Sequence, residues 1–170
     1  MQIWRHIRAV LLLPFMATVA VPLGLVAVFG GVNVGWGQDP TGMVTLITIG
    51  SSALAIGLTL FVSTHYLFAK IGKATLAPWD APTKLVVHGV YRYVRNPMIS
   101  GIMYMLTGET LILGCLPILI WTMLFVIGNV VYIPLIEEPI LAKRFGQKYD
   151  AYRSNVPRWI PRLRPWSAPN

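Results

Sequence analysis

Apolar residues run almost unbroken through four stretches of the chain, 10–30, 43–69, 97–114 and 116–136, and polar residues gather between them. Each stretch is near the roughly 20 residues that a helix needs to cross a hydrocarbon core about 30 Å thick. The pattern predicts an all-α, polytopic membrane protein: one integral-membrane domain over residues 1–170, with about four transmembrane helices. The third stretch is the shortest and holds Glu109. Between the second and third stretches, Pro78, Pro82 and Gly89 argue against a long helix, so 70–96 reads as a structured loop. Asn96-Pro97 reads as a helix start, with asparagine as the cap and proline at the first helical position. Gly114 and Pro117 predict a tight turn that sets the third and fourth spans antiparallel. Pro139 predicts a break or kink after the fourth span and the start of a new helix. That helix would show Leu141, Phe145, Tyr149 and Tyr152 on one face, as an interfacial helix does.

Composition sharpens this picture. With 55% hydrophobic and 12% charged residues and a mean hydropathy of +0.63, the chain is too apolar for a soluble domain of its size. All 14 Lys and Arg lie at Arg5 and Arg8, between Lys70 and Arg95, or from Lys143 onward. The positive-inside rule therefore predicts a multi-pass protein with both termini and the middle loop cytoplasmic. A net charge of +8 placed at span borders points to anionic lipid headgroups, not to nucleic acid. Trp4, Trp36, Trp79, Trp159 and Trp166 fall at the same borders, where indole prefers to lie. The N-terminal apolar run is long and no good cleavage site follows it, so it reads as a retained first span. Gly50, Ser51, Ser52, Ala53 and Gly57 would let helices approach closely.

Few residues offer chemistry. Cys115, the single cysteine, excludes an intrachain disulfide and a thiolate metal cluster. No His/Cys/Asp constellation, P-loop or dinucleotide glycine fingerprint is present, so no metal is expected. Glu109 lies mid-span, where an ionised side chain costs at least about 2.5–3.5 kcal/mol. It should face the bundle interior, either bonded to Thr107, Thr110 or Asn129 or lining a substrate cavity. Glu137 and Glu138 have three readings: complementing a helix N-terminus, pairing with Arg92 or Arg95, or binding a cationic ligand group. His65 reads as an interfacial, hydrogen-bonded residue.

Two motifs stand on either side of the last hydrophobic hairpin. The first is Leu85-Val86-x-x-Gly89-x-Tyr91-Arg92-x-x-Arg95-Asn96-Pro97-Met98-x-x-Gly101. The second is Glu137-Glu138-x-x-Leu141-x-x-x-Phe145-Gly146-x-x-Tyr149-x-x-Tyr152-x-x-x-Val156-Pro157. Over about residues 70–165 the chain resembles the isoprenylcysteine carboxyl methyltransferase family, part of a wider set of integral-membrane methyltransferases that includes phospholipid methyltransferases. The resemblance implies S-adenosylmethionine as methyl donor, held at the cytoplasmic membrane face by the regions 80–100 and 137–160. By matching positions, Thr83, Lys84, Leu85, Val86, Tyr91, Asn96, Pro97, Met98, Ile99 and Glu137 would contact it, with Glu137 pairing its ammonium. The chain departs from its relatives in two places. Many have His-Pro-x-Tyr where this one has Asn96-Pro97-Met98-Ile99, and prenylcysteine-specific members carry arginine at the position of Ile133.

The expected function is methyl transfer to a lipid-like or amphipathic acceptor, an isoprenylcysteine carboxylate or a related group, that enters from the bilayer. A carboxylate acceptor needs no base; for an amine or hydroxyl the catalytic candidates are Glu138 and Glu109. The alternatives are an NADPH-dependent membrane reductase of the sterol-reductase type and a non-enzymatic membrane protein.

Overall fold

The structure, a computed structural model, describes residues 11–71 and 85–167. Helices and turns make up all of its regular elements. A wide π-helical segment, Leu11–Ala20, contains Pro14 and runs into α1, Val21–Phe29. Helix α2 is Pro40–Ile71, α3 is Pro97–Leu113 and α4 is Leu116–Tyr132. A π-turn, Ile133–Glu137, leads directly into α5, Glu138–Phe145, and α6 is Gln147–Asn155.

Two helices are long and apolar enough to cross a membrane. Pro40–Leu67 has 28 residues and Leu116–Phe145 has 30, and only 17% of each apolar window is buried within the protein. A soluble core helix would hide most of that surface, so these apolar faces belong against lipid. The apolar helices Pro14–Phe29 and Pro97–Leu113 are shorter. The predicted elements over the first, second and third stretches are all present, with ends shifted by a few residues.

The fourth differs. Pro139 does not break the helix, because α4, the π-turn and α5 are continuous. A proline lacks the N–H for the carbonyl four residues earlier and crowds it; the widened turn just before Pro139 absorbs both. The helix predicted to run from Pro139 through Tyr152 is instead two helices. They part at Gly146, whose φ of +55° suits glycine and few other residues.

The chain forms two compact units: residues 1–59 with 101–127, and residues 60–100 with 128–170. In the first, α2 and α3 meet through glycine. A Cβ on Gly57 would lie 2.6 Å from the Gly101 carbonyl oxygen, and one on Gly108 would lie 2.6 Å from that of Gly50. Gly50 and Gly57 thus act as the small-residue stripe that the sequence predicts, whereas Ser51 and Ser52 are exposed. Helices α3 and α4 share a buried hydroxyl pair, Thr110 to Thr122 at 2.9 Å. The α1–α2 loop sits on the turn between them: the Asn33 N–H donates to Leu113 O at 3.0 Å and the Trp36 indole to Thr110 O at 2.9 Å. Gly114 has a φ of +57°, and a Cβ there would collide with Asn33 O.

Glu109 belongs to this first unit. Its Oε2 is buried without a hydrogen-bond partner among the described residues. The Thr107 and Thr110 hydroxyls named above as its partners donate to Met103 O and Leu106 O instead. His65, in the second unit, bonds Phe61 O through Nδ1 at 2.9 Å, as an interfacial histidine would.

Candidate functional site

The second unit contains both motifs except Gly101. Leu85–Val87 has no regular element, His88 is extended, and Gly89, with φ +55°, turns the chain into a 3₁₀ segment, Gly89–Arg92. The Tyr91 N–H donates to His88 O and the Val94 N–H to Val90 O, closing the turn. The Asn96 carbonyl accepts the first bond of α3 from Ser100 N at 2.9 Å. The Asn96 side chain does not cap the helix, as the sequence suggested; its Nδ2 points to Arg158 O at 3.5 Å.

The C-terminal tail straps this loop. Arg95 N donates to Pro157 O, Arg162 N to Tyr93 O and Trp166 N to Arg92 O, at 2.9–3.0 Å. The Arg92 side chain closes the strap by donating to Trp166 O and Ser167 Oγ. Beneath it lies a core of Tyr149, Tyr152 and Val156, packed by Leu85, Val87, Leu141, Ala142, Phe145 and Trp166. Leu141, Phe145, Tyr149 and Tyr152, predicted to share a face, all enter this core. The Tyr152 hydroxyl donates to Tyr91 O at 2.7 Å, joining the second motif to the first.

The adjacent acids are treated differently. Glu138 accepts from Arg95 at 2.9 Å and from both Nε and Nη2 of Arg158, at 2.6 and 3.0 Å. Its side chain is 9% exposed and that of Arg95 10%, so the Glu138–Arg95 pair is a buried ion pair, with the more exposed Arg158 as a second cation. Glu137, half-buried one residue earlier, makes no hydrogen bond or ion pair to a described residue. Burial raises the Tyr91 phenol pKa above its ordinary value, and the charges of Tyr152 and Glu137 add to that rise. Tyr91 and Glu137 are therefore close enough to feel one another across 46 positions of sequence. Burial also raises Tyr152, against a smaller opposing effect of the Arg95 charge.

Of the residues expected to hold a cofactor, Leu85, Val86, Tyr91, Asn96, Pro97, Met98, Ile99 and Glu137 thus occur in this unit; Thr83 and Lys84 lie outside the described residues. Pro97 is fully buried, and Met98 and Ile99 form the half-buried first turn of α3. Arg95 is the partner foreseen for an acid, whereas Arg92 serves the strap. Sequence reasoning missed Arg158. The only signal pointing to it was the proline spacing of the tail, Pro157, Pro161 and Pro165, which fixes φ every fourth residue and favours an ordered strap.

No curated protein and no solved structure matches the chain. The family model for phospholipid methyltransferases matches residues 45–148, more than half of the 170-residue chain and much of both motifs. The chain therefore belongs to the phospholipid methyltransferase family and is a membrane methyltransferase.

Proposed function

We propose that the protein transfers a methyl group from S-adenosylmethionine to a lipid-like or amphipathic acceptor at the cytoplasmic face of the membrane, as a multi-pass protein with both termini on that side. The observation that carries this reading is the contrast between the twin acids. Two guanidiniums occupy Glu138, while half-buried Glu137 makes no hydrogen bond or ion pair among the described residues and acts on Tyr91 through its charge. That carboxylate suits an ammonium group, through a charge-assisted bond. Tyr91 and the Leu85-Val86 backbone would hold the nucleoside, and the free N–H groups of Met98 and Ile99 in the first turn of α3 would face an anionic carboxylate. Asn96 would fix that first turn through its carbonyl.

The bound cofactor supplies a sulfonium methyl for direct displacement. The chain's own contribution is alignment and exclusion of water, since a dry, apolar surrounding favours a reaction in which positive charge disperses. Glu138, with its oxygens engaged by Arg95 and Arg158, is a poor proton acceptor, and we assign it a positioning role. For an amine or hydroxyl acceptor, Glu109 remains the catalytic candidate, and full turnover by Glu109→Gln would remove it. Ile133 is 1% exposed, so the position that carries arginine in prenylcysteine-specific relatives is here packed in the core. That favours an acceptor recognised without a free carboxylate, a phospholipid-like headgroup over an isoprenylcysteine.

Calorimetric titration in detergent tests the reading. S-adenosylhomocysteine should bind the unaltered protein, and Glu137→Gln should weaken it by roughly tenfold to a hundredfold, the worth of a hydrogen bond to a charged group. Undiminished binding by Glu137→Gln, or thermal protection by NADPH in place of S-adenosylhomocysteine, would overturn it. A screen of lipid acceptors with labelled donor then identifies the substrate.

A further inference from the structure

The strap carries two large aliphatic side chains that the protein leaves uncovered. Ile160 is 71% and Leu163 98% exposed. The backbone around them is nevertheless fixed by Arg162 N to Tyr93 O, Trp166 N to Arg92 O and Arg162 Nη1 to Asn155 O. Single exposed aliphatics are ordinary on soluble surfaces, but two observations say what covers these.

The first is position. Arg158 is bound to Glu138, which follows Ile136, the last apolar residue of the Leu116–Phe145 helix before its charged end. The strap therefore begins at the level where that helix leaves the hydrocarbon. The second is charge. From residue 151 to the end the chain has Arg153, Arg158, Arg162 and Arg164 and no acidic residue. Half-buried Trp159 and Trp166 interleave with these arginines, and indole favours the headgroup layer.

We propose that Ile160 and Leu163, flanked by Arg162 and Arg164, form an interfacial anchor that inserts into an anionic lipid leaflet and so holds the strap on the Tyr91–Asn96 loop. The aliphatics supply the insertion, and the arginines supply preference for anionic headgroups. Because the same strap bonds the backbone of Arg92, Tyr93 and Arg95, docking on the leaflet would steady the edge beside Glu137. The anchor stands without the methyltransferase reading; its effect on the cofactor edge rests on that reading.

A spin label on Leu163→Cys, in the full chain reconstituted into nanodiscs, tests the anchor. The native Cys115 is fully buried, and the labelled unaltered protein is the control. In discs containing phosphatidylglycerol the label should be relaxed by oxygen more than by a water-soluble nickel chelate, and the order should reverse in pure phosphatidylcholine. Two arginines near the surface can shift the docked-to-undocked ratio by up to about thirtyfold. Equal water access in both lipids, equal burial in both, or shielding that depends on protein concentration would overturn the proposal, the last by revealing a second copy as the cover. In a second arm, Ile160→Asp with Leu163→Asp should weaken S-adenosylhomocysteine severalfold in anionic discs alone. Failure of the unaltered protein to bind S-adenosylhomocysteine at all would defeat the cofactor reading and leave the depth result standing, whereas equal binding by both proteins would defeat only the coupling.

Discussion

Replacing Glu138 with glutamine should loosen the C-terminal strap far more than the same change at Glu137. The Glu138 carboxylate is 9% exposed and balances Arg95, itself 10% exposed. Removing its charge leaves the Arg95 guanidinium buried without a counter-charge, and breaking a buried pair in this way costs about 3–5 kcal/mol. Glutamine keeps the shape and one accepting oxygen, so the lower bound, about 3 kcal/mol, applies. Arg158 is 31% exposed and therefore better screened, and Arg95 would remain to balance Glu138. Arg158→Met should thus cost less, about 1–2 kcal/mol.

Trypsin reads this difference directly, because the peptide bond after Arg162 lies within the strap. When reclosing outpaces cleavage, the rate follows the population of the open strap. At 1.36 kcal/mol per decade, about 3 kcal/mol raises that rate more than a hundredfold. Glu137→Gln, with no partner among the described residues to lose, should leave it unchanged. Equal rates for the two variants, or a larger rise for Glu137→Gln, would refute the division of roles between the acids.

Three further outcomes follow from the packing. Gly57→Val places a Cβ 2.6 Å from Gly101 O and 2.9 Å from Met105 N, so α2 and α3 must separate; a loss of about 3 kcal/mol, or roughly 6–12 °C in Tm, is expected. Ser52→Val, on an exposed face of the same helix, should leave Tm within about 2 °C. Tyr152→Phe removes the 2.7 Å bond to Tyr91 O and should cost about 1–2 kcal/mol, seen as faster cleavage after Arg162. Burial raises both the Tyr91 and Tyr152 phenols, so the unfolded chain ionises first. Their contribution is fully present below about pH 10 and is lost as pH climbs above it; Tm should fall steeply there, and less steeply in Tyr152→Phe.

The apolar helices were legible because lipid imposes one rule along a whole helix, and hydropathy alone reports it. The face formed by Leu141, Phe145, Tyr149 and Tyr152 was legible for a similar reason: spacing by four, four and three survives the break at Gly146, since all four side chains still reach one core. The break itself was hidden. Gly146 looked like one glycine among polar residues, and only its φ distinguishes it. Pro139 misled in the opposite direction, because a π-turn can absorb a proline without any mark in the sequence. Resemblance named Tyr91 and Glu137 for the site, and the second unit does bring them within electrostatic reach. It could not reveal the strap, whose bonds from Arg162 N to Tyr93 O, Trp166 N to Arg92 O and Arg95 N to Pro157 O join backbone groups that carry no side-chain signature.

The roles of Glu137 and Glu138 show why local sequence stops where it does. On a helix, neighbours point about 100° apart, so two adjacent acids cannot serve one partner equally. Which of them is neutralised depends on groups elsewhere: Arg95 stands 43 residues before Glu138, and Arg158 stands 20 residues after it. With both guanidiniums bonded to Glu138, that residue becomes part of the frame, and Glu137 has no such partner among the described residues. Both arginines contribute to that choice, since each gives Glu138 a charge-assisted partner. Arg95→Met combined with Arg158→Met should therefore free Glu138 to stand in for Glu137. A partial recovery of S-adenosylhomocysteine binding when Glu137→Gln is added to that pair would show that the arginines, and not the position of the residue in the motif, decide which acid is available.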